Sequence, residues 1–122
     1  MSKFQLRTID LSYLSEGEIG YLAAMIDGEG CITRRFTNTS KLAWRVVITG
    51  TSPALSNWLL AKIGGRCDTK KVYSEKHSPS YNWVIERAAD CLTILDYTWP
   101  YLVIKKAKAE QAILEITDRG IR

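Results

Sequence analysis

One histidine, three scattered cysteines and the lack of any long apolar run remove several function classes from this 122-residue chain before any motif is read. Cys31, Cys67 and Cys91 are odd in number and far apart, with no C-x-x-C pair, and His77 is the single imidazole. Neither a disulfide framework nor a zinc site follows from such a set, and reduced strand or core thiols are expected. No run of about 18 or more apolar residues is present, so no membrane span and no membrane partner are expected. The N-terminus lacks the charged, apolar and small-residue succession of a secretory leader, which predicts an intracellular protein. No linker or low-complexity tract interrupts the chain, and its length suits one domain, residues 1–122, with a modest core.

Acidic residues are scarce in one region. Between Cys31 and Arg87 ten Lys or Arg residues face only Asp68, Glu75 and Glu86, whereas the rest of the chain has seven basic and ten acidic residues. The net charge of +4 hides this asymmetry. Phosphate neutralisation and counterion release supply much of nucleic-acid affinity, so the 31–87 window is a candidate polyanion footprint. A merely solvated basic face is the competing reading, because charge runs alone are weak evidence.

Ser15 and Glu18 form an S-x-x-E capping box, and Ile19, Leu22, Ala23 and Ile26 follow at helical spacing, so a first helix is expected over about 16–28. Gly20, Ala23, Ala24 and Asp27 lie three, four and seven apart, a small-residue stripe against which a second helix could pack closely. Residues 31–39 and 41–49 read as two strands around the turn Asn38-Thr39-Ser40. In the second of these, Leu42, Trp44, Val46 and Ile48 share one face and Lys41, Ala43, Arg45, Val47 and Thr49 the other. On the first, Thr33, Arg35 and Thr37 form the polar set, which leaves Arg34 awkwardly beside Ile32 and Phe36. Pro53 opens an amphipathic helix that Gly64-Gly65 stops. Residues 66–74 and 81–87 read as a second hairpin, the 66–74 strand with unclear parity. Asp90 is the expected N-cap of a short helix, and Pro100 the start of a last one, the two spanning about 90–117.

The most informative stretch ends the first helix: Tyr21-Leu22-Ala23-Ala24-Met25-Ile26-Asp27-Gly28-Glu29-Gly30, apolar and small residues leading to two acids held between glycines. Leu22 to Gly30 resembles the signature motif of the LAGLIDADG homing endonucleases, with Glu29 in place of the usual second acid. Near the other end, Trp99-Pro100-Tyr101-Leu102-Val103-Ile104-Lys105-Lys106 resembles that family's P-Y-L-x-x-K element. Together they make the resemblance cover roughly Glu16 to Glu115. It implies an α+β fold of order αββαββα, with a four-stranded antiparallel DNA-binding sheet and helices on the opposite face; the periodicity alone follows the same order loosely.

The resemblance also implies an activity: metal-dependent hydrolysis of double-stranded DNA at a long pseudo-palindromic site, by a homodimer, in intron or intein mobility. Phosphodiester cleavage needs a cation to activate water and a positive group for the developing charge. Glu29 is the expected ligand of Mg²⁺ or Mn²⁺, helped by a carbonyl near Gly28, and a hard cation needs few protein oxygens when phosphate completes its shell. A carboxylate at a helix C-terminus is disfavoured by the macrodipole, so Glu29 there asks for a compensating cation. Lys105 matches the family's basic position, with Lys106 the alternate. Gly20, Ala23, Ala24 and Asp27 are the expected dimer interface, Asp27 accepting hydrogen bonds at its base. After the second strand, where several family members carry a water-positioning side chain, stands Thr49-Gly50-Thr51, so a Thr49 or Thr51 hydroxyl, or ordered water alone, would take that role.

A polar sheet face can follow a major groove as a β-ribbon reader. Arg35, Lys41 and Arg45 are the expected base contacts. Lys70, Lys71 and Lys76 suit phosphates, and Thr33, Thr37, Thr49 and Asn82 suit shorter-range contacts. A noncatalytic DNA-binding protein, or an intron maturase that binds RNA on the same scaffold, is the alternative.

Overall fold

The computed structural model describes residues 9–36, 42–69 and 80–118. The first helix, α1, runs from Glu16 to Glu29, one residue beyond the expected end. Its start follows from the capping box: the Glu18 N–H donates to Ser15 Oγ at 3.1 Å and the Ser15 N–H to Glu18 Oε1 at 2.9 Å. Such a cap contributes about 1 kcal/mol. Leu14 and Ile19, at the two positions of a hydrophobic staple, are both buried.

Four antiparallel strands, β1 (Gly30–Phe36), β2 (Leu42–Gly50), β3 (Arg66–Thr69) and β4 (Tyr81–Ile85), form one sheet in the order β1-β2-β4-β3. The register opposes Val46 to Ile85 and Ile48 to Trp83 on one face, and Val47 to Val84 and Thr49 to Asn82 on the other. The inner face carries Ile32, Trp44, Val46, Ile48, Trp83 and Ile85, all buried. α1, α2 (Pro53–Lys62) and α3 (Ala88–Thr98) pack against this face. Full burial of each such apolar side chain stabilises by about 1.5–3 kcal/mol.

The parity of β3 is settled by its partner: Cys67 lies opposite Trp83 toward the helices, and Arg66 and Asp68 lie opposite Val84 and Asn82 on the outer face. Gly65 leads into this strand at φ +88°, and a Cβ there would sit 2.7 Å from Ile85 Cδ1. Trp83 Nε1 donates to the Gly64 carbonyl at 2.6 Å, so the α2 terminus is tied to the sheet. Arg34 faces the helices opposite Trp44 but escapes burial at the sheet's end, where its Nη1 pairs with Glu115 Oε2 at 2.8 Å.

Two expected helix starts are corrected. α3 begins at Ala88, and Asp90 sits buried inside its first turn, where Oδ1 accepts the Ile9 N–H at 2.9 Å and pins the segment that inserts Leu11 into the core. Pro100 lies in a 3₁₀ turn, Trp99–Tyr101, and the last helix, α4, starts only at Lys106 and runs to Asp118. Helix does not form between them because another group takes the backbone donors. Asp27 Oδ2 accepts the N–H groups of Val103 and Ile104, and Oδ1 that of Lys105, at 2.7, 3.2 and 2.9 Å. Partial burial works against ionisation of Asp27, but the three N–H groups and the Lys105 charge outweigh it and hold the carboxyl below its usual 3.8.

Gly30 passes α1 into β1 at a close approach: a Cβ there would meet the Ile26 carbonyl oxygen at 2.8 Å and that of Val47 at 3.0 Å. Gly30→Ala should therefore cost about 1–3 kcal/mol in urea unfolding, whereas Gly28→Ala, with nothing within 4 Å, should cost none. Asp27→Asn should cost about 2 kcal/mol, the scale of hydrogen bonds to a charged group. Because the folded value is depressed, the stabilisation is complete above the unfolded value and is lost as pH falls through the folded one. Acid titration of unfolding below about pH 4 should thus show a steeper loss for the unmodified protein than for Asp27→Asn.

Candidate functional site

The last residue of α1, Glu29, projects an exposed carboxylate that has no hydrogen bond or ion pair among the described residues. Beside it, the half-buried Lys105 Nζ donates to the Asp27 carbonyl. That carbonyl is one of the helix's last four, which lack an intrahelical partner, and no basic residue stands in the last turn of α1 itself. Lys105 therefore supplies, from a distant segment, the positive charge that an acid at a helix C-terminus requires. Lys106 points elsewhere, its Nζ 4.6 Å from the Trp99 ring centroid, which separates the two lysines by role.

Among the described residues, no group of three His, Cys, Asp or Glu side chains could enclose a metal ion. One chain offers Glu29 alone, with Gly28 exposed beside it. That donor set fits a hard, mostly hydrated divalent cation whose shell is completed by phosphate, and does not fit a closed structural site.

The small-residue stripe divides between two faces. Ala23 is 1% exposed and packs in this chain's own core. Asp27 directs its carboxylate to the segment 103–105 of the same chain. Gly20 and Gly28 are different: a Cβ at either would meet nothing within 4 Å, and Ala24 between them is exposed. At spacings of four they form a smooth ridge that this chain's own packing does not demand. Next to the end of that ridge, Val103 and Ile104 are 81% and 76% exposed.

The outer face of the sheet holds most of the remaining expected residues. Thr33 lies opposite Arg45, and Thr49 opposite Asn82, whose amide oxygen accepts the Thr49 hydroxyl at 2.7 Å. Thr49 thus has its proton engaged within the sheet. The side chain of Arg35, and Thr37, Lys41, Lys70, Lys71 and Lys76 altogether, lie outside the described residues. The register adds Arg66 and Asp68, whose face periodicity left open because the parity of β3 is visible only against its partner; Glu86, next after β4, stands beside them. Arg66 Nη2 meets Glu86 Oε1 at 3.0 Å and its Nε meets both Asp68 oxygens at 3.1 Å, while Arg45 Nη1 stands 3.9 Å from Glu86. Of the thiols, Cys31 is exposed, Cys67 partly buried and Cys91 buried, its pKa pushed up by burial to about 12.

No protein-family model matches this sequence, and no curated protein matches it either. Solved structures do. The homing endonuclease I-CvuI in complex with a DNA target in the presence of Mg superposes with a TM-score of 0.68 at 16% identity, over 84% of this chain and 67% of that one. The archaeal intron-encoded homing endonuclease I-Vdi141I complexed with DNA gives 0.64 at 16% identity, over 84% and 68%. The LAGLIDADG homing endonuclease I-SmaMI bound to cleaved DNA gives 0.63 at 18% identity, over 91% of this chain and 38% of that one. With its two-acid helix end, its four-stranded antiparallel sheet backed by helices on one face and these superpositions, the chain has the LAGLIDADG homing-endonuclease fold.

Proposed function

We propose that this protein is a divalent-metal-dependent DNA endonuclease that acts as a homodimer on a long pseudo-palindromic duplex site. The observation that carries the reading is the unengaged, exposed Glu29 carboxylate fixed at the end of α1 beside a lysine clamped by backbone contacts. The superposed homing endonucleases are complexes with DNA, one studied with Mg and again with Ca.

One carboxylate per chain is half of a plausible centre. The ridge of Gly20, Ala24 and Gly28 lets a second α1 approach closely, and the apolar Val103 and Ile104 would be covered in the same contact. Two-fold symmetry then brings the Glu29 residues of both copies together. Within this site Glu29 and a carbonyl near Gly28 would hold a cation such as Mg²⁺ or Mn²⁺. A bound cation supplies stabilisation of the phosphorane charge and a water of lowered pKa. Lys105, held against the end of α1, adds a fixed positive charge near the scissile phosphate and costs no reorganisation when charge develops. The nine residues of β2 extend about 30 Å, equal to about nine base pairs at roughly 3.4 Å each. Two copies would cover nearly two turns.

Cleavage of a randomised duplex library in Mg²⁺ or Mn²⁺, with sequencing of the ends, tests this directly. Discrete, roughly palindromic cuts are expected; their absence for a folded protein with metal present would overturn the nuclease reading. Glu29→Gln should retain site-selective binding and stop cutting, and Lys105→Met should slow it by about 10²–10³-fold. Ala24→Leu should yield a folded monomer in sedimentation that no longer cuts. Ala23→Leu should lower thermal stability instead, because that position lies in the core.

A further inference from the structure

On the outer face of the sheet two arginines from different strands meet one carboxylate. Glu86 follows the last residue of β4 and shares the side of Val84 and Asn82. Its Oε1 receives Arg66 Nη2 at 3.0 Å, in hydrogen-bond contact, and stands 3.9 Å from Arg45 Nη1, an ion pair without a hydrogen bond. Asp68 braces Arg66 from the other side with two 3.1 Å contacts. Arg66 is thereby fixed, and Arg45 is held by charge alone. Two buried polar atoms sit at that looser end: Arg45 Nε and Thr33 Oγ1, cross-strand neighbours, both without a hydrogen-bond partner. Buried polar atoms are normally satisfied, so this pair marks a place where Arg45 is not anchored by hydrogen bonds among the described residues.

We propose that Glu86 is a specificity-determining positioning residue, which keeps the Arg45 guanidinium presented for one guanine in each half-site and makes phosphate a poorer substitute. The inference rests on the DNA-binding reading above. A guanidinium matches the N7 and O6 acceptors of guanine in two parallel hydrogen bonds, and a good pair discriminates about 5- to 150-fold against other bases. Backbone phosphate offers Arg45 acceptors at any sequence, and would satisfy it indiscriminately were the approach not opposed. Glu86 and Asp68 oppose it, because each sets a negative charge against an arginine that a phosphate would otherwise approach. A correctly placed guanine offers acceptors with only partial negative charge, which the carboxylates repel less than an ionised phosphate. Arg66 serves as the anchor that holds Glu86 in place.

The test is binding of a randomised duplex pool in Ca²⁺, with sequencing of the bound fraction, for the unmodified protein, Glu86→Gln, Arg45→Ala and the double variant. Glu86→Gln is nearly isosteric at a partly exposed position, and thermal unfolding confirms its fold. Arg45→Ala should erase a guanine preference of roughly tenfold or more at one position per half-site. Glu86→Gln should reduce the same preference to under about threefold, and raise affinity for random duplex with a salt dependence steeper by up to about 0.9 in the log–log slope. The double variant should lose no more preference than Arg45→Ala. Preferences of Glu86→Gln that match the unmodified protein at every position, or that relax at a position different from the one Arg45→Ala relaxes, would overturn the proposal alone. An unmodified protein with no sequence preference would overturn both it and the reading on which it rests.

Discussion

The candidate site is assembled by one carboxylate. Asp27 takes three successive N–H groups, from Val103, Ile104 and Lys105, residues more than seventy positions away in the chain. This contact fixes where α1 ends relative to the approach to α4, and it decides which lysine lies beside Glu29. In a helix begun at Pro100 these three N–H groups would be the first intrahelical donors, and with Asp27 holding them the chain stays irregular from Leu102 to Lys105 and α4 starts late. The return contact, from Lys105 Nζ to the Asp27 carbonyl, makes the junction two-way. Asp27 thus acts as a backbone cap, while Glu29, two residues on, is engaged by nothing among the described residues.

The sheet distributes its residues by the same logic of competing demands. Period-two alternation places Trp44, Val46, Ile48, Trp83 and Ile85 against the helices, and every one of them is buried. Among the described residues no helix packs on the other face, which carries groups that want partners. Some find them within the sheet, as Thr49 does with Asn82. Others do not, and the unsatisfied Arg45 Nε and Thr33 Oγ1 show that packing alone does not complete this surface.

Much of this was legible in the sequence because it is local. The capping box, the parity of β2 and the two glycines after α2 each follow from residues within a few positions of one another. What was not legible depends on partners far along the chain. The stripe Gly20, Ala23, Ala24 and Asp27 spans an arc wide enough to straddle the boundary between core and solvent, and only the packing of α1 on β1 and β2 turns Ala23 inward. Asp90 reads as a cap because Asp is a good one, yet its acceptor is taken by the Ile9 N–H. Leu11 entered the core unannounced, although Leu14 and Ile19 at staple spacing were a signal that the chain before α1 packs down. Arg34 looked misplaced by alternation until the Glu115 carboxylate of α4 gave it an exit.

The described part of the outer face also separates affinity from discrimination. Arg45 and Arg66 are balanced there by Asp68 and Glu86, so these four residues bring no net charge to a polyanion. Yet the 31–87 window as a whole carries ten basic residues against three acidic ones. The excess must reside in the other cations of that window. Electrostatic affinity scales with the number of phosphates neutralised and is indifferent to sequence, whereas discrimination needs donors held in one geometry. A patch in which each guanidinium already has a carboxylate neighbour is poor at the first task and suited to the second. Under the proposed DNA-binding function, such a chain would be basic enough to meet duplex DNA anywhere and still withhold its best-formed contacts from most of it.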